Sequence, residues 1–283
     1  MRVARFWARA QAERDGYGRG AWASSETSID DARQRAEEKA RRLLAEEIES
    51  DGEVIHQYAY QQRDFPEPIV QDLRDNAGDR IAAITINRYG ANVLNTARLA
   101  FIDVDLEASA SSNGGGLLGR LLGRKQPATD PTEEPLERLR HWARQDASRG
   151  ARVYRTAAGL RYLLTSPGME PDGDDAHQLM EELGADPLYA RLCRAQRSFR
   201  ARLSPKPWRI GIRGTPKLSF EKLAEASEPV NAWLRHYEQA CKGYSVCNLI
   251  DEVGNTRPPD DDTARLIALH DDLAGVGLEL PLA

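Results

Sequence analysis

The chain has 283 residues, of which 41% are hydrophobic and 29% are charged, and its formal net charge is −5. These values are typical of a globular protein with a substantial core, and no apolar run approaches the roughly 20 residues of a membrane-spanning helix. Three cysteines and the lack of an apolar secretion signal favour a cytoplasmic protein without a membrane partner.

The first part of the chain predicts a β-hairpin followed by a helix. Apolar residues alternate over 2–13, the dipeptide Asp15-Gly16 marks a turn, and a second strand is expected around 21–25. Ser28 has the position of a helix N-cap, and an apolar stripe at helical spacing continues to Ile48. We assign residues 1–75 to an N-terminal ββα unit. Its second half is predicted to contain a strand and extended loop over 54–68 and a helix over 69–76.

The remaining residues, 76–283, predict a domain in which strands and helices mix without strict alternation. Strands are expected at 80–87, 99–105, 152–156, 160–165 and 246–250, and helices at 132–148, 177–183, 188–203, 219–226, 228–241 and 263–273. A Ser- and Gly-rich stretch at about 109–131 is typical of a flexible insertion. This pattern indicates an α+β fold with an antiparallel or mixed sheet.

Two carboxylates at the end of a predicted strand are the first candidate site. Asp103 and Asp105 follow a run of apolar residues, and alternate side chains of a strand point to the same face. Two neighbouring carboxylates repel each other unless a cation lies between them, and Mg²⁺ or Mn²⁺ takes such oxygen ligands. A solvated strand end, with one carboxylate capping a turn, explains the same residues without a metal.

A basic segment is the second candidate site. Between residues 188 and 213 lie eight basic residues and no acidic one: Arg191, Arg194, Arg197, Arg200, Arg202, Lys206, Arg209 and Arg213. Arginine pairs with phosphate in a bidentate manner, and basic residues interleaved with aromatics such as Tyr189 and Trp208 are typical of single-stranded nucleic-acid sites. The alternative is that these arginines pair with acidic neighbours elsewhere in an acidic protein.

Cysteine and histidine residues give a weaker signal. Cys193, Cys241, Cys247 and His236 include the residue types that bind zinc, but a Cys-x₅-Cys spacing is unusual for such a site, and free buried cysteines are common. We therefore do not expect zinc.

The order of these elements resembles the archaeo-eukaryotic primase superfamily over about residues 80–251. The resemblance rests on the Asp-x-Asp strand, the helix after it and the hairpin that begins at Val153. It implies a palm-like domain in which Asp103 and Asp105, with Asp251 as a third acid, hold Mg²⁺ or Mn²⁺. It also implies phosphate contacts in the basic segment. Arg161 stands where that family has a histidine that contacts the nucleotide phosphate.

These observations lead to two hypotheses of different kinds. The first is a primase- or polymerase-like protein that binds nucleotide or nucleic acid and transfers nucleotidyl groups, with catalytic residues Asp103, Asp105 and Asp251 and with phosphates held by Arg161, Arg200, Lys206 and Arg209. The second is a non-catalytic module that binds single-stranded nucleic acid, or an acidic protein, through the segment 191–213 without needing a metal.

Overall fold

The computed structural model describes residues 3–49, 67–106, 130–166, 168–213 and 227–283. The strands are β1 Phe6–Arg14, β2 Tyr17–Ser25, β3 Ile69–Arg74, β4 Arg80–Ile86, β5 Asn92–Thr96, β6 Ala100–Asp105, β7 Gly150–Thr156, β8 Gly159–Leu164, β9 Phe199–Arg202 and β10 Cys247–Gly254. The α-helices are α1 Ile29–Glu49, α2 Glu133–Arg144, α3 Asp174–Glu182, α4 Pro187–Gln196, α5 Glu228–Cys241 and α6 Asp261–Ala274, and a 3₁₀-helix spans Pro207–Ile210.

The described strands form three sheets, and the predicted α+β class with an N-terminal hairpin is confirmed. The sheets have the orders β1-β2, β3-β4-β5-β9 and β10-β7-β8-β6. All pairs of these strands are antiparallel. β6 and β9 are edge strands of two different sheets, and they pack beside each other.

Local sequence explains the N-terminal unit. Asp15 and Gly16 both have positive φ, 54° and 83°, which is the turn geometry that matches the twist of a two-residue hairpin. The Ser28 side-chain oxygen accepts a hydrogen bond from the backbone N–H of Asp31 at 3.1 Å and so caps α1. Alanines of β1, β2 and α1, including Ala8, Ala23 and Ala36, form a small core of their own.

The main core lies around the β10-β7-β8-β6 sheet. Every residue of β8 is buried, and the core cluster around it includes Phe101, Tyr162 and Phe199. The close approach of β8 to β6 requires a glycine at position 159, where a Cβ would lie 1.9 Å from the Val104 carbonyl oxygen. Asp103 on β6 and Arg161 on β8 therefore lie on tightly packed strands.

Two sequence predictions, the helices over 69–76 and 188–203, were wrong for physical reasons. Residues 69–74 are the strand β3, which pairs with β4, so tertiary pairing replaces the predicted helix. The predicted domain boundary at 75/76 falls between these two paired strands. The strand β5 was not predicted at all. The helix predicted over 188–203 ends at Gln196, because Arg197 takes a left-handed conformation with φ 48°, and residues 199–202 then pair with β5 as β9.

Some predictions fall outside the described residues. These are the segment 54–66, the flexible insertion from 109 to 129 and the helix 219–226. The other predicted helices and strands of residues 80–283 are present, with bounds shifted by a few residues.

Candidate functional site

The predicted carboxylate pair lies at the end of the edge strand β6. Asp103 is half-buried and Asp105 is exposed, and strand geometry directs both to the same face. Arg161 is the direct cross-strand partner of Asp103 on β8. Its Nε donates to Asp103 Oδ1 at 2.7 Å and its Nη2 donates to Oδ2 at 3.2 Å. The cation that neutralises this carboxylate is therefore a side chain of the protein.

The Asp103–Arg161 pair is held in its charged form. Burial by itself raises the pKa of Asp103, but attraction and hydrogen bonds from Arg161 outweigh it and hold this pKa below its usual value. Burial likewise opposes the charge of Arg161, and Asp103 reverses this effect so that the pKa of Arg161 is raised. Arg161 is 1% exposed. The prediction that Arg161 contacts phosphate is therefore not supported, because its guanidinium is buried and already paired.

A buried network extends from Arg161 through α6. Arg161 Nη1 donates to the Arg202 carbonyl oxygen at 3.0 Å and lies 3.3 Å from His270 Nε2. His270 is fully buried, and its Nδ1 lies 2.9 Å from Asp271 Oδ1. Asp271 in turn accepts hydrogen bonds from Tyr154 Oη at 2.8 Å and Arg152 Nη2 at 3.0 Å. Burial and nearby Arg161 lower the pKa of His270, so its imidazole is neutral at pH 7.

Asp251 lies far from the other two acids. β10 and β6 are opposite edges of one four-stranded sheet, three strand spacings or about 14 Å apart. The Asp251 carboxylate accepts a hydrogen bond from Arg140 Nη2 at 2.9 Å. The expectation that Asp251 completes a metal site with Asp103 and Asp105 is corrected, because the sheet order separates them. No group of three or more metal-ligating side chains forms within the described parts of the chain.

Three arginines in the first half of the basic segment, at positions 194, 197 and 200, are paired with acidic residues. Arg200 donates from Nη2 to both carboxylate oxygens of Glu67, at 2.8 and 2.9 Å. Arg197 pairs with Asp172 at 2.7 Å, and Arg194 pairs with Asp174. The phosphate contact predicted for Arg200 is therefore not supported, and the alternative of acidic neighbours holds for these arginines.

The second half of the basic segment is different. Arg202 ends β9, and Lys206 and Arg209 follow within seven residues. None of the three forms an ion pair with a carboxylate of the described ranges, and all are half-buried. The Arg202 Nε atom is buried without a hydrogen-bond partner among these residues. We call these three residues the cation cluster.

The positive charges of the cation cluster repel one another, and nearby carboxylates offset this repulsion only in part. Burial, followed by repulsion from Arg202 and Arg209, lowers the pKa of Lys206, although Asp105 and Asp103 act in the opposite direction. Burial and nearby Arg161 also lower the pKa of Arg202. A bound anion raises both pKa values, because it adds negative charge beside partly buried cations.

A pair of aromatic side chains, exposed Trp208 and half-buried Tyr89, lies next to the cation cluster. Trp208 is 51% exposed, and its ring contacts that of Tyr89 edge-to-face at a centroid distance of 5.2 Å. Lys206 Nζ lies 5.6 Å from the Trp208 ring centroid, and the Arg88 guanidinium lies 4.7 Å from that of Tyr89. Tyr89 was missed in the sequence because it belongs to a turn more than 100 residues earlier. Tyr189, which was expected on this surface, is buried and donates to the Phe101 carbonyl oxygen at 2.6 Å.

The backbone that presents Trp208 is held in place on both sides. The Ser204 hydroxyl accepts from the Asn92 N–H at 2.9 Å, and Tyr237 on α5 donates to the Pro205 carbonyl oxygen at 2.6 Å. The Ile212 N–H donates to the Pro207 carbonyl oxygen at 3.0 Å and caps the C-terminal end of the 3₁₀-helix. Proline at 205 and 207 restricts the backbone further. The cation cluster and Trp208 thus form a preorganised surface.

The cysteines occupy separate places. Cys193 on α4 and Cys247 on β10 are buried, Cys241 ends α5, and His236 is exposed on α5. Burial raises the pKa of all three thiols to about 11, so they are protonated at neutral pH.

Comparisons with known proteins add no further identification. No protein-family model matches the chain, and no curated protein or solved structure is significantly similar to it. None of the helices in the described ranges is long and apolar enough to cross a membrane. The primase resemblance therefore stays a prediction.

Proposed function

We propose that this protein binds single-stranded nucleic acid through the cation cluster, Arg202, Lys206 and Arg209, and the adjacent Trp208–Tyr89 pair. The observation that carries the proposal is the contrast within one basic segment. Arginines at 194, 197 and 200 are paired with carboxylates, whereas the cation cluster has no such partner among the described residues.

The chemistry of this surface suits a single strand. Phosphates satisfy the cations, and an exposed indole offers a stacking face to a base. The edge-to-face contact with Tyr89 limits the motion of the Trp208 ring, so stacking of a base costs less side-chain entropy. A base in a duplex is already stacked, which favours single strands over double strands at this site.

A metal-dependent transfer reaction is not part of the proposal. The residues that would hold the metal do not fit it, because Arg161 occupies both oxygens of Asp103 and Asp251 lies at the opposite sheet edge. Binding is therefore expected to be unchanged when EDTA is added.

The test is fluorescence anisotropy with a labelled oligo(dT) and with the same sequence annealed to its complement. Trp208→Ala is expected to weaken binding of the single strand by about 5- to 150-fold, the equivalent of about 1–3 kcal/mol for one stacked base. Lys206→Gln and Arg209→Gln are each expected to reduce the slope of log K against log salt concentration by about 0.7.

Arg194→Gln is the matched control. It removes the same charge from the same segment, but its guanidinium is paired with Asp174, so affinity is expected to be nearly unchanged. Equal losses of affinity for Arg194→Gln and Lys206→Gln would show that binding depends only on the net charge of the protein. Wild-type protein that fails to bind the strand at low salt would refute the proposal.

A further inference from the structure

Within the described part of the chain, the N-terminal hairpin leaves one long strand edge unpaired beside a groove. β1 has nine residues, and no described strand other than β2 pairs with it. A groove of about 1240 Å³ follows this edge and is lined by β1 from Trp7 to Arg14. Its other wall is one flank of α1, on which the apolar residues Ile29, Leu44, Ala45 and Ile48 lie beside the charged residues Arg33, Glu37 and Arg41. An open edge next to apolar surface is a site at which another strand can add.

The hairpin register determines which backbone groups face the open edge. Arg14 and Tyr17 close the two-residue turn and form a hydrogen-bonded pair, so alternate residues back along β1 bond to β2. The residues between them, at positions 7, 9, 11 and 13, direct their N–H and C=O groups outward. A partner strand must therefore bond to these four positions.

The same four positions are self-complementary in charge. Arg9 and Glu13 flank Gln11 symmetrically, and both are exposed. Neither forms an ion pair with another residue of the described ranges. If two β1 strands pair antiparallel about Gln11, each Arg9 lies opposite Glu13 of the other copy. In that register, residues of one β1 whose backbone groups face outward lie opposite such residues of the other β1. Hydrogen bonds between the two strands require this arrangement.

We propose that two copies of this chain associate through β1, with Gln11 on the two-fold axis, to form a continuous four-stranded sheet. The axis is perpendicular to the sheet, so the α1 helices of both copies cover the same face. The small side chains of Ala8, Ala10 and Ala12 from the second copy then face the flank of α1 that lines the groove. This inference does not depend on the proposed nucleic-acid function.

Other occupants are less well supported by the same surface. The edge of β2 contains Gly18 and Gly20, which weaken a strand, and one charge, Arg19, which is paired with Glu47. A nucleic acid is disfavoured at the β1 edge because Glu13 lies in the same row as Arg9.

Sedimentation velocity over a concentration series of the full chain tests the proposal. Wild-type protein is expected to form dimers. Arg9→Glu and Glu13→Arg are each expected to raise the dimer dissociation constant at least about tenfold, because each replaces two attractive cross-strand pairs with two repulsive ones. Arg14→Glu is the control for the charge change, since residue 14 bonds to β2 and lies opposite Ala8 in the proposed pairing.

Charge complementation distinguishes the specific pairing of Arg9 with Glu13 from a nonspecific effect of the changed charge on association. An equimolar mixture of Arg9→Glu and Glu13→Arg chains is expected to form heterodimers, and the double variant R9E/E13R is expected to dimerise as the wild type does. Circular dichroism checks that each variant is folded. A monomeric wild type, a dimer indifferent to Arg9→Glu, or a mixture that stays monomeric overturns the proposal.

Discussion

Asp103→Asn is the substitution whose effect most clearly separates a structural carboxylate from a metal ligand. A metal ligand at an exposed strand end is dispensable for folding, so its loss reduces activity and leaves stability unchanged. In this structure Asp103 neutralises Arg161, a guanidinium that is 1% exposed in the middle of a fully buried strand. Asparagine removes the charge and replaces one acceptor with a donor that faces the guanidinium.

The expected loss is about 3 kcal/mol of the free energy of unfolding. Breaking a buried ion pair by removing one partner costs about 3–5 kcal/mol, because the other charge is left buried and uncompensated. The side chain of Asp103 retains 35% of its exposure, so water partly compensates and the lower end of that range applies. For a chain of this size the midpoint of thermal unfolding is expected to fall by about 6–12 °C.

Urea and thermal unfolding of Asp103→Asn, with Asp105→Asn as control, measure this loss. Asp105 lies two residues later on the same face and is exposed, so its variant is expected to stay within about 1 kcal/mol of the wild type. The double variant D103N/R161M removes both charges, and its loss is expected to be smaller than the sum of the two single losses. Equal stability of Asp103→Asn and Asp105→Asn would refute the structural role of Asp103.

Three further outcomes follow from the same structure. Because the pKa of buried His270 lies below its usual value, the free energy of unfolding is expected to decrease as the pH falls below about 6.5. Urea unfolding at several pH values measures this decrease, which is expected to be smaller in His270→Gln. Gly159→Ala is expected to destabilise the fold by about 2 kcal/mol or more, since its Cβ meets the Val104 carbonyl oxygen, whereas Gly18→Ala is tolerated in the same melts. Oligonucleotide affinity is expected to fall as the pH rises through the lowered pKa of Lys206, and Lys206→Arg is expected to remove this pH dependence.

Much of the fold is predictable from sequence because its signals are local. The Asp15-Gly16 turn, the cap at Ser28 and the alanine stripe of α1 each act within a few residues. β3 and β9 are not predictable in this way, since both are short strands that form by pairing with other parts of the chain. A helical pattern that continues past Gln196 hides the left-handed residue at 197, at which the chain turns into β9.

The candidate site shows the same division between local and distant signals. The Asp-x-Asp pattern correctly places two carboxylates on one face of a strand, but their chemical role depends on Arg161, which is 58 residues away from Asp103 in sequence. The charge of the basic segment is visible in the sequence, whereas its separation into paired and unpaired residues depends on Glu67, Asp172 and Asp174. Only the tertiary structure shows that Lys206, the one lysine of this segment, has no ion-pair partner among the described residues.

The most direct test of the central claim compares Lys206→Gln with Arg200→Gln in the binding of a single-stranded oligonucleotide at low salt. Both variants lose one positive charge from the same segment. Weaker binding with a shallower salt slope for Lys206→Gln, together with wild-type affinity for folded Arg200→Gln, is the predicted result. Equal affinities for the two variants would contradict the account, because the residue paired with Glu67 would then matter as much as the one without a partner.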